Sequence, residues 1–230
     1  MCIRDRFRAA FVPGNRIVII GAGWIGLEVA AAARAAGTEV TVFEVAELPL
    51  LRVLGRRVAQ AFADLHRAHG VDLRLGTAVS AADLAGATLV VVGVGVAPDA
   101  SLAQRAGLAV DKGVLVDATL RASHPGVYAV GDIANHDHPL LRRRVRVEHW
   151  DTAIEQAKVA AHNLVGGQEA EAYDRLPYFF TDQYDLGMEY VGYAAADADA
   201  EVVVHGDLGA EQRRAYWVSG GVVVAGMHVN

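Results

Sequence analysis

The 230-residue sequence contains one cysteine, Cys2, which excludes an internal disulfide, a CxxC redox pair and a cysteine-rich metal site. Positive charge is also scarce. The chain has 21 Lys and Arg against 27 Asp and Glu, a formal net charge of -6, so it lacks the broad basic face that nucleic acid and anionic membranes attract. Long apolar runs are missing too: the longest, residues 89–97, falls far short of the ~20 residues that cross a bilayer. Arg4, Arg6 and Arg8 are not followed by the apolar stretch of a secretory leader. Repeats and low-complexity tracts are absent. These absences lead us to expect a soluble, cytoplasmic protein with no nucleic-acid or membrane partner.

What remains is an ordinary globular composition, 53% hydrophobic and 21% charged, enough for two or three packed units. The opening MCIRDR fits no neighbouring pattern and is set aside with residues 1–14 as a scar and linker. From residue 15 the pattern is strand (16–20, RIVII), glycine turn, alanine-rich helix ending at Gly37, strand (39–44, EVTVFE), helix (55–69) and strand (VDLRL). Such a βαβαβ order implies a parallel sheet with right-handed crossovers. A fourth strand, 88–96, is apolar throughout, as expected of a strand covered on both faces. After Pro98 come a short helix, the strands GVLVD and GVYAVGD, and a long helix over 151–164, a second α/β unit spanning 97–172. From 173 to 230 two-residue alternation around tight turns predicts an antiparallel sheet, its last hairpin turning at Gly220-Gly221. The stretch AAADADA, 194–200, reads as a loop.

Gly21-Ala22-Gly23-Trp24-Ile25-Gly26 lies between a strand and a helix. Glycines at that spacing permit the tight turn, the approach of a pyrophosphate and close helix-on-strand packing, and the helix N-terminus then faces the phosphates. Glu44 closes the second strand 23 residues after Gly21, where an acid accepts hydrogen bonds from an adenosine ribose and repels the 2′-phosphate of NADP. NAD is therefore favoured. Arg52 could reach a phosphate or equally lie in solvent, and Glu28, the only acid in its helix, reads on residues alone as exposed. His136-Asp137-His138 reads as a solvated loop rather than a metal site.

Taken in order, the glycine motif, Glu44, VVVGVGVAPD, GVYAVGD and VEHWDTAIEQAKVAAHNL resemble the single-flavin pyridine-nucleotide reductases, the FAD-dependent ferredoxin reductases of bacterial oxygenase systems and relatives of apoptosis-inducing factor. The resemblance covers nearly everything from Arg8 to Asn230. It implies a Rossmann-like NAD-binding domain (15–96) inserted in a partial FAD-binding domain (97–172), followed by a truncated α+β C-terminal domain (173–230). It implies FAD and NAD as cofactors, with Asp132 on the ribityl chain and Trp150 beside the isoalloxazine ring. Glu28 and Arg52 map onto NAD contacts, Glu28 near the nicotinamide carboxamide. Gly93 and Gly95 fall in the loop passing the nicotinamide, where a side chain would obstruct it, and Phe180 matches an aromatic position near the same face. With neither thiol pair nor catalytic acid or base required, the expected activity is hydride transfer from NADH to FAD followed by single-electron delivery to a ferredoxin. The alternatives are an NADH oxidase, an NAD-sensing flavoprotein of the same architecture and an inactive fragment.

Several family features do not appear. The glycine motif for the ADP half of FAD and a lysine near the flavin are missing, the β-meander of the NAD domain is replaced by SAADLAGA and its neighbours, and the C-terminal helices are absent. An internal piece of a longer reductase is expected. Arg142, Arg143, Arg144 and Arg146 form a local basic cluster, either a docking patch for an acidic ferredoxin or a solvated loop.

Overall fold

Four β-branched residues in a row, Ile17 to Ile20, favour an extended pleat that is buried on both faces, and β1 (Arg16–Ile20) buries Ile17, Val18 and Ile19 completely. The structure, a computed structural model, describes residues 3–166, 169–194, 200–206 and 213–230. Cys2, Gly167 and most of the 194–200 stretch therefore lie outside the described residues. By internal contacts the chain divides into two compact units: Met1–Gly95 with Phe180–Glu189 and Ala194–Asn230, and Val96–Phe179 with Tyr190–Tyr193.

In the first unit a helix, α1 (Ile3–Ala10), precedes β1. That corrects the expectation of no element there: Asp5 in its first turn and Arg8 in its last complement the helix dipole, and Ala10 is buried. β1 is followed by α2 (Trp24–Ala35), β2 (Glu39–Phe43), α3 (Leu51–Ala68), β3 (Asp72–Arg74) and β4 (Leu89–Val92). The four strands form one parallel sheet in the order β3-β2-β1-β4. Its alanine-rich buried face, with Ala30, Ala31 and Ala33, lets α2 approach the sheet closely, whereas α3 presents Leu54, Val58 and Phe62. Gly55 interrupts α3 at φ 72°. β4 departs from expectation. It is the edge strand, and Val90 and Val92 are 36% and 65% exposed; apolar sequence alone does not guarantee cover on both faces.

The second unit contains α4 (Ser101–Arg105), β5 (Val114–Val116), β6 (Ala134–His138), β7 (Arg143–Val145) and α5 (Trp150–Leu164). β6 pairs in parallel with β5 and antiparallel with β7. Two corrections arise here. Residues 126–130 are not a strand: they make a single bridge, Arg121–Tyr128, and bond back on residues 120–122, because β6 occupies the place beside β5. The His136-Asp137-His138 stretch is not a solvated loop but part of β6, with both histidines 1% exposed against Tyr173. Positions i and i+2 of a strand share a face, so burying one buries both.

The last five strands are β8 (Tyr178–Gln183), β9 (Leu186–Gly192), β10 (Glu201–His205), β11 (Arg213–Ser219) and β12 (Val222–Val229), in the order β10-β11-β12-β9-β8. The β11–β12 hairpin turns through Gly220 and Gly221 at φ 57° and 79°, as the Gly-Gly pair predicts. Mixed α/β architecture with a Rossmann-like parallel sheet followed by antiparallel strands is thus present. Among the described residues no helix is long and apolar enough to cross a membrane.

Candidate functional site

At the C-terminal edge of the parallel sheet the chain turns from β1 into α2. Gly21 donates its N–H to Phe43 O and Gly93 donates to Ile20 O, both at 2.8 Å, so the turn is bonded to strands on either side. Its glycines do different work. A Cβ on Gly21, which sits at φ 101°, would lie 2.4 Å from Gly93 O, and one on Gly26 would lie 2.1 Å from Gly21 O. Gly23 has no such neighbour, the nearest atom being Gly93 O at 4.0 Å. The first and third glycines permit packing; the second leaves open space beside the helix terminus. Gly23 caps α2 without a side-chain hydrogen bond and no acid occupies the first turn, so the terminal N–H groups suit an anion.

A cleft of about 490 Å³ opens over this turn, within the range of small-molecule sites. It is lined by Gly21, Gly23, Trp24, Glu44, Arg52, Gly93 and Gly95 among the residues expected from sequence. It also takes in Val45, Leu48, Leu50, Thr77 and Val79, which sequence reasoning did not find. Thr77 could have been found by its place after β3, since ligands gather at the carboxyl ends of parallel strands. Glu44 is held from two sides: Oε2 accepts from Ala22 N at 2.7 Å and Oε1 from Ala46 N at 2.8 Å. A carboxylate oxygen has two lone pairs, so each retains one for a hydroxyl donor. Trp24 is steadied edge-on by Phe62, centroids 6.0 Å apart. Open space over Gly23 and a fixed, incompletely used acid fit a dinucleotide.

Four expected residues of the same unit do not line this cleft. Ile25 is 64% exposed outside it, and Gly26 lies beneath it as a packing residue. Phe180 sits on β8, partly exposed. Glu28, one turn into α2, accepts a hydrogen bond from the Thr181 hydroxyl at 2.5 Å.

In the second unit Gly131 at φ 71° starts a short 3-10 turn, Gly131–Ile133. Its N–H donates to Gln156 Oε1 at 2.8 Å, and an added Cβ would come within 3.1 Å of Ala153 on α5. The turn is thereby fixed against α5 while the Asp132 side chain is exposed, its carboxylate close enough to His149 to act on that ring electrostatically. Trp150 begins α5 with 57% of its surface open, after His149, whose Nδ1 accepts from Asp151 N. An exposed carboxylate acceptor and an exposed indole fit the ribityl and ring portions of a flavin. The basic cluster is largely spoken for: Arg144 bonds to Val116 O and Asn135 O, Arg146 to Asp132 O and Glu148, and Arg143 lies over Tyr193.

Residues 3–157 match the family described as pyridine nucleotide-disulphide oxidoreductase. The chain belongs to that family. The chain is 40% identical, over 97% of its length, to the ferredoxin–NAD(+) reductase component of the anthranilate 1,2-dioxygenase system of Burkholderia cepacia, covering 58% of that protein. It is 34% identical, over its whole length, to putidaredoxin reductase of Pseudomonas putida, covering 56% of it. The reductase chain in the crystal structure of the covalent putidaredoxin reductase–putidaredoxin complex superposes with a TM-score of 0.90 at 33% identity, over all of this chain and 59% of the other. The chain therefore spans less than two thirds of the length of these relatives.

Proposed function

We propose that these 230 residues form the NAD-binding and part of the flavin-binding portion of a reductase that takes hydride from NADH onto FAD and passes single electrons to a ferredoxin. Glu44 carries this reading: it stands at the cleft mouth, doubly anchored, where it would accept from the adenosine ribose and repel a 2′-phosphate. Gly23 and the α2 terminus would hold the pyrophosphate, with Arg52 alongside. Gly93 and Gly95 leave room for the nicotinamide, and Glu28 would meet its carboxamide. In the second unit Asp132 would accept from the ribityl hydroxyls and Trp150 would pack on the flavin ring; in the first, Phe180 would lie near the nicotinamide. A bound flavin supplies the conversion of a two-electron hydride into single electrons. The residues bind, orient and exclude water around it. Relatives named as ferredoxin–NAD(+) reductase components support the acceptor class, and a cytoplasmic location accompanies it.

The test is anaerobic mixing of the FAD-loaded reductase with NADH, followed by reoxidation with a ferredoxin or with oxygen. Flavin bleaching by NADH and faster reoxidation by ferredoxin are expected. Reoxidation by oxygen alone at the same rate would replace this function with NADH oxidation. Bleaching without turnover on either acceptor would leave an NAD sensor.

A further inference from the structure

Behind Glu28 lies an unbroken line of buried polar groups, all within the first unit. Thr181, Gln183 and His66 are each 0% exposed. Glu28 Oε1 is 2.5 Å from Thr181 Oγ1, Thr181 Oγ1 is 3.1 Å from Gln183 Nε2, Gln183 Oε1 is 2.8 Å from His66 Nε2, and His66 Nδ1 is 3.2 Å from the Tyr184 hydroxyl. Buried polar atoms without partners are costly; here each finds one.

The direction of the line follows from its end. A carboxylate has no proton to give, so Thr181 must donate its only hydroxyl proton to Glu28. Thr181 Oγ1 must then accept from the Gln183 amide nitrogen, which turns the amide oxygen toward His66. His66 must in turn carry its proton on Nε2, leaving Nδ1 to accept from Tyr184. Burial lowers the basicity of His66, consistent with a neutral ring carrying one N–H. Every donor points toward Glu28. A chain polarised in one sense strengthens its terminal bond, and an O–H···O⁻ contact of 2.5 Å belongs to the short, strong class. An amide in the middle does not pass protons along, so the line orients rather than conducts.

We propose that Thr181, Gln183 and His66 are positioning residues that fix the Glu28 carboxylate, through Oε1, in the orientation that receives the nicotinamide carboxamide. This rests on the reading of Glu28 as a nicotinamide contact. No hydrogen bond to its second oxygen is found among the described residues. The strand that supplies Thr181 and Gln183, β8, lies more than 150 residues from Glu28 in sequence, so the nicotinamide end of the site depends on the C-terminal sheet although no residue of that sheet lines the cleft.

The experiment compares NADH with ADP-ribose, which lacks the nicotinamide, binding to the full 230-residue chain. Thr181→Val keeps the shape and removes the hydroxyl; it should weaken NADH about tenfold, a typical cost for one hydrogen bond to a charged group, and leave ADP-ribose unchanged. Thr181→Ser should restore NADH affinity. Gln183→Met, which leaves the Thr181–Glu28 bond in place, should give a smaller loss in the same direction and serves if Thr181→Val does not fold. Equal losses for both ligands, no loss, or failure of Ser to rescue would overturn the proposal. Glu28→Gln separates the two readings. If it lowers NADH affinity selectively while Thr181→Val does not, the relay alone is wrong; if it leaves the NADH to ADP-ribose ratio unchanged, the nicotinamide reading of Glu28 is wrong and the relay falls with it.

Discussion

Glu44 shows how much a single side chain can decide when backbone donors fix it first. Ala22 N and Ala46 N take one lone pair from each oxygen and prevent rotation, so a ribose would meet an acceptor already in place. Glu44→Ala should weaken NADH by about 1–3 kcal/mol, the range for a charge-assisted hydrogen bond, and weaken NADPH far less, since the charge that repels its 2′-phosphate is removed too. Titration of both nucleotides against wild type and variant checks this; an unchanged NADH to NADPH ratio refutes the assignment. The basic cluster is a contrasting case. Arg144 and Arg146 are tied to main-chain carbonyls, which gives them structural work that charge counting along the sequence could not reveal.

The strand–turn–helix element separates stability from binding at neighbouring glycines. Replacing Gly26 by alanine gains about 1 kcal/mol of helix propensity. It also drives a Cβ to 2.1 Å from Gly21 O, main chain that cannot swing away. The clash wins, and Gly26→Ala should lose about 1–3 kcal/mol, read as a lower urea midpoint. Gly23→Ala meets nothing closer than 4.0 Å, so its midpoint should stay at the wild-type value while NADH affinity falls, the methyl standing in the space proposed for the pyrophosphate. A wild-type midpoint for Gly26→Ala, or undiminished binding for Gly23→Ala, contradicts this division. The same element explains what was legible in the sequence. Glycine spacing, β-branched runs and an acid at the end of β2 are local signals, and they gave the parallel sheet, the turn and the Glu44 position. The Gly220-Gly221 hairpin was readable for the same reason. Edge position is not local, so the apolar run of β4 looked covered when Val92 is open. Residues 126–130 had strand composition, yet strand identity depends on a neighbour, and β6 holds that place. The polar line behind Glu28 was illegible because Thr181 and Gln183 look like ordinary alternating strand residues until α2 and α3 are packed beside them.

Across the whole molecule, acid stability should track a buried imidazole. His136 is 1% exposed, and burial, with His138 beside it, lowers its pKa to about 4. The unfolded chain therefore takes up a proton near pH 6.5 that the folded chain refuses until about pH 4. Stability is full above about pH 6.5 and is lost as pH falls toward 4, by about 3 kcal/mol from this group, with His66 and His149 contributing in the same direction. Urea unfolding at several pH values should show this slope, and His136→Phe should flatten it; an equally steep variant would locate the titration elsewhere. Flavin retention is a second test at this scale. The 230-residue sequence holds one glycine-rich strand-to-helix turn, and it opens on the cleft proposed for NADH, so the chain expressed by itself should bind NADH yet purify without stoichiometric FAD. Flavin absorbance equal to the protein concentration after denaturation would place the ADP half of FAD on residues outside the Gly21–Gly26 turn. The first unit is also assembled from three separated stretches of chain, and Asn230, bonded to Gly187 N and Asp185 O, belongs to the last. During vectorial synthesis the β1–β4 sheet can form as soon as it leaves the ribosome, but Glu28 must wait for Thr181, and the turn after β8 must wait for Asn230. Until then the half-made unit keeps His66 without Gln183 and Glu28 without Thr181.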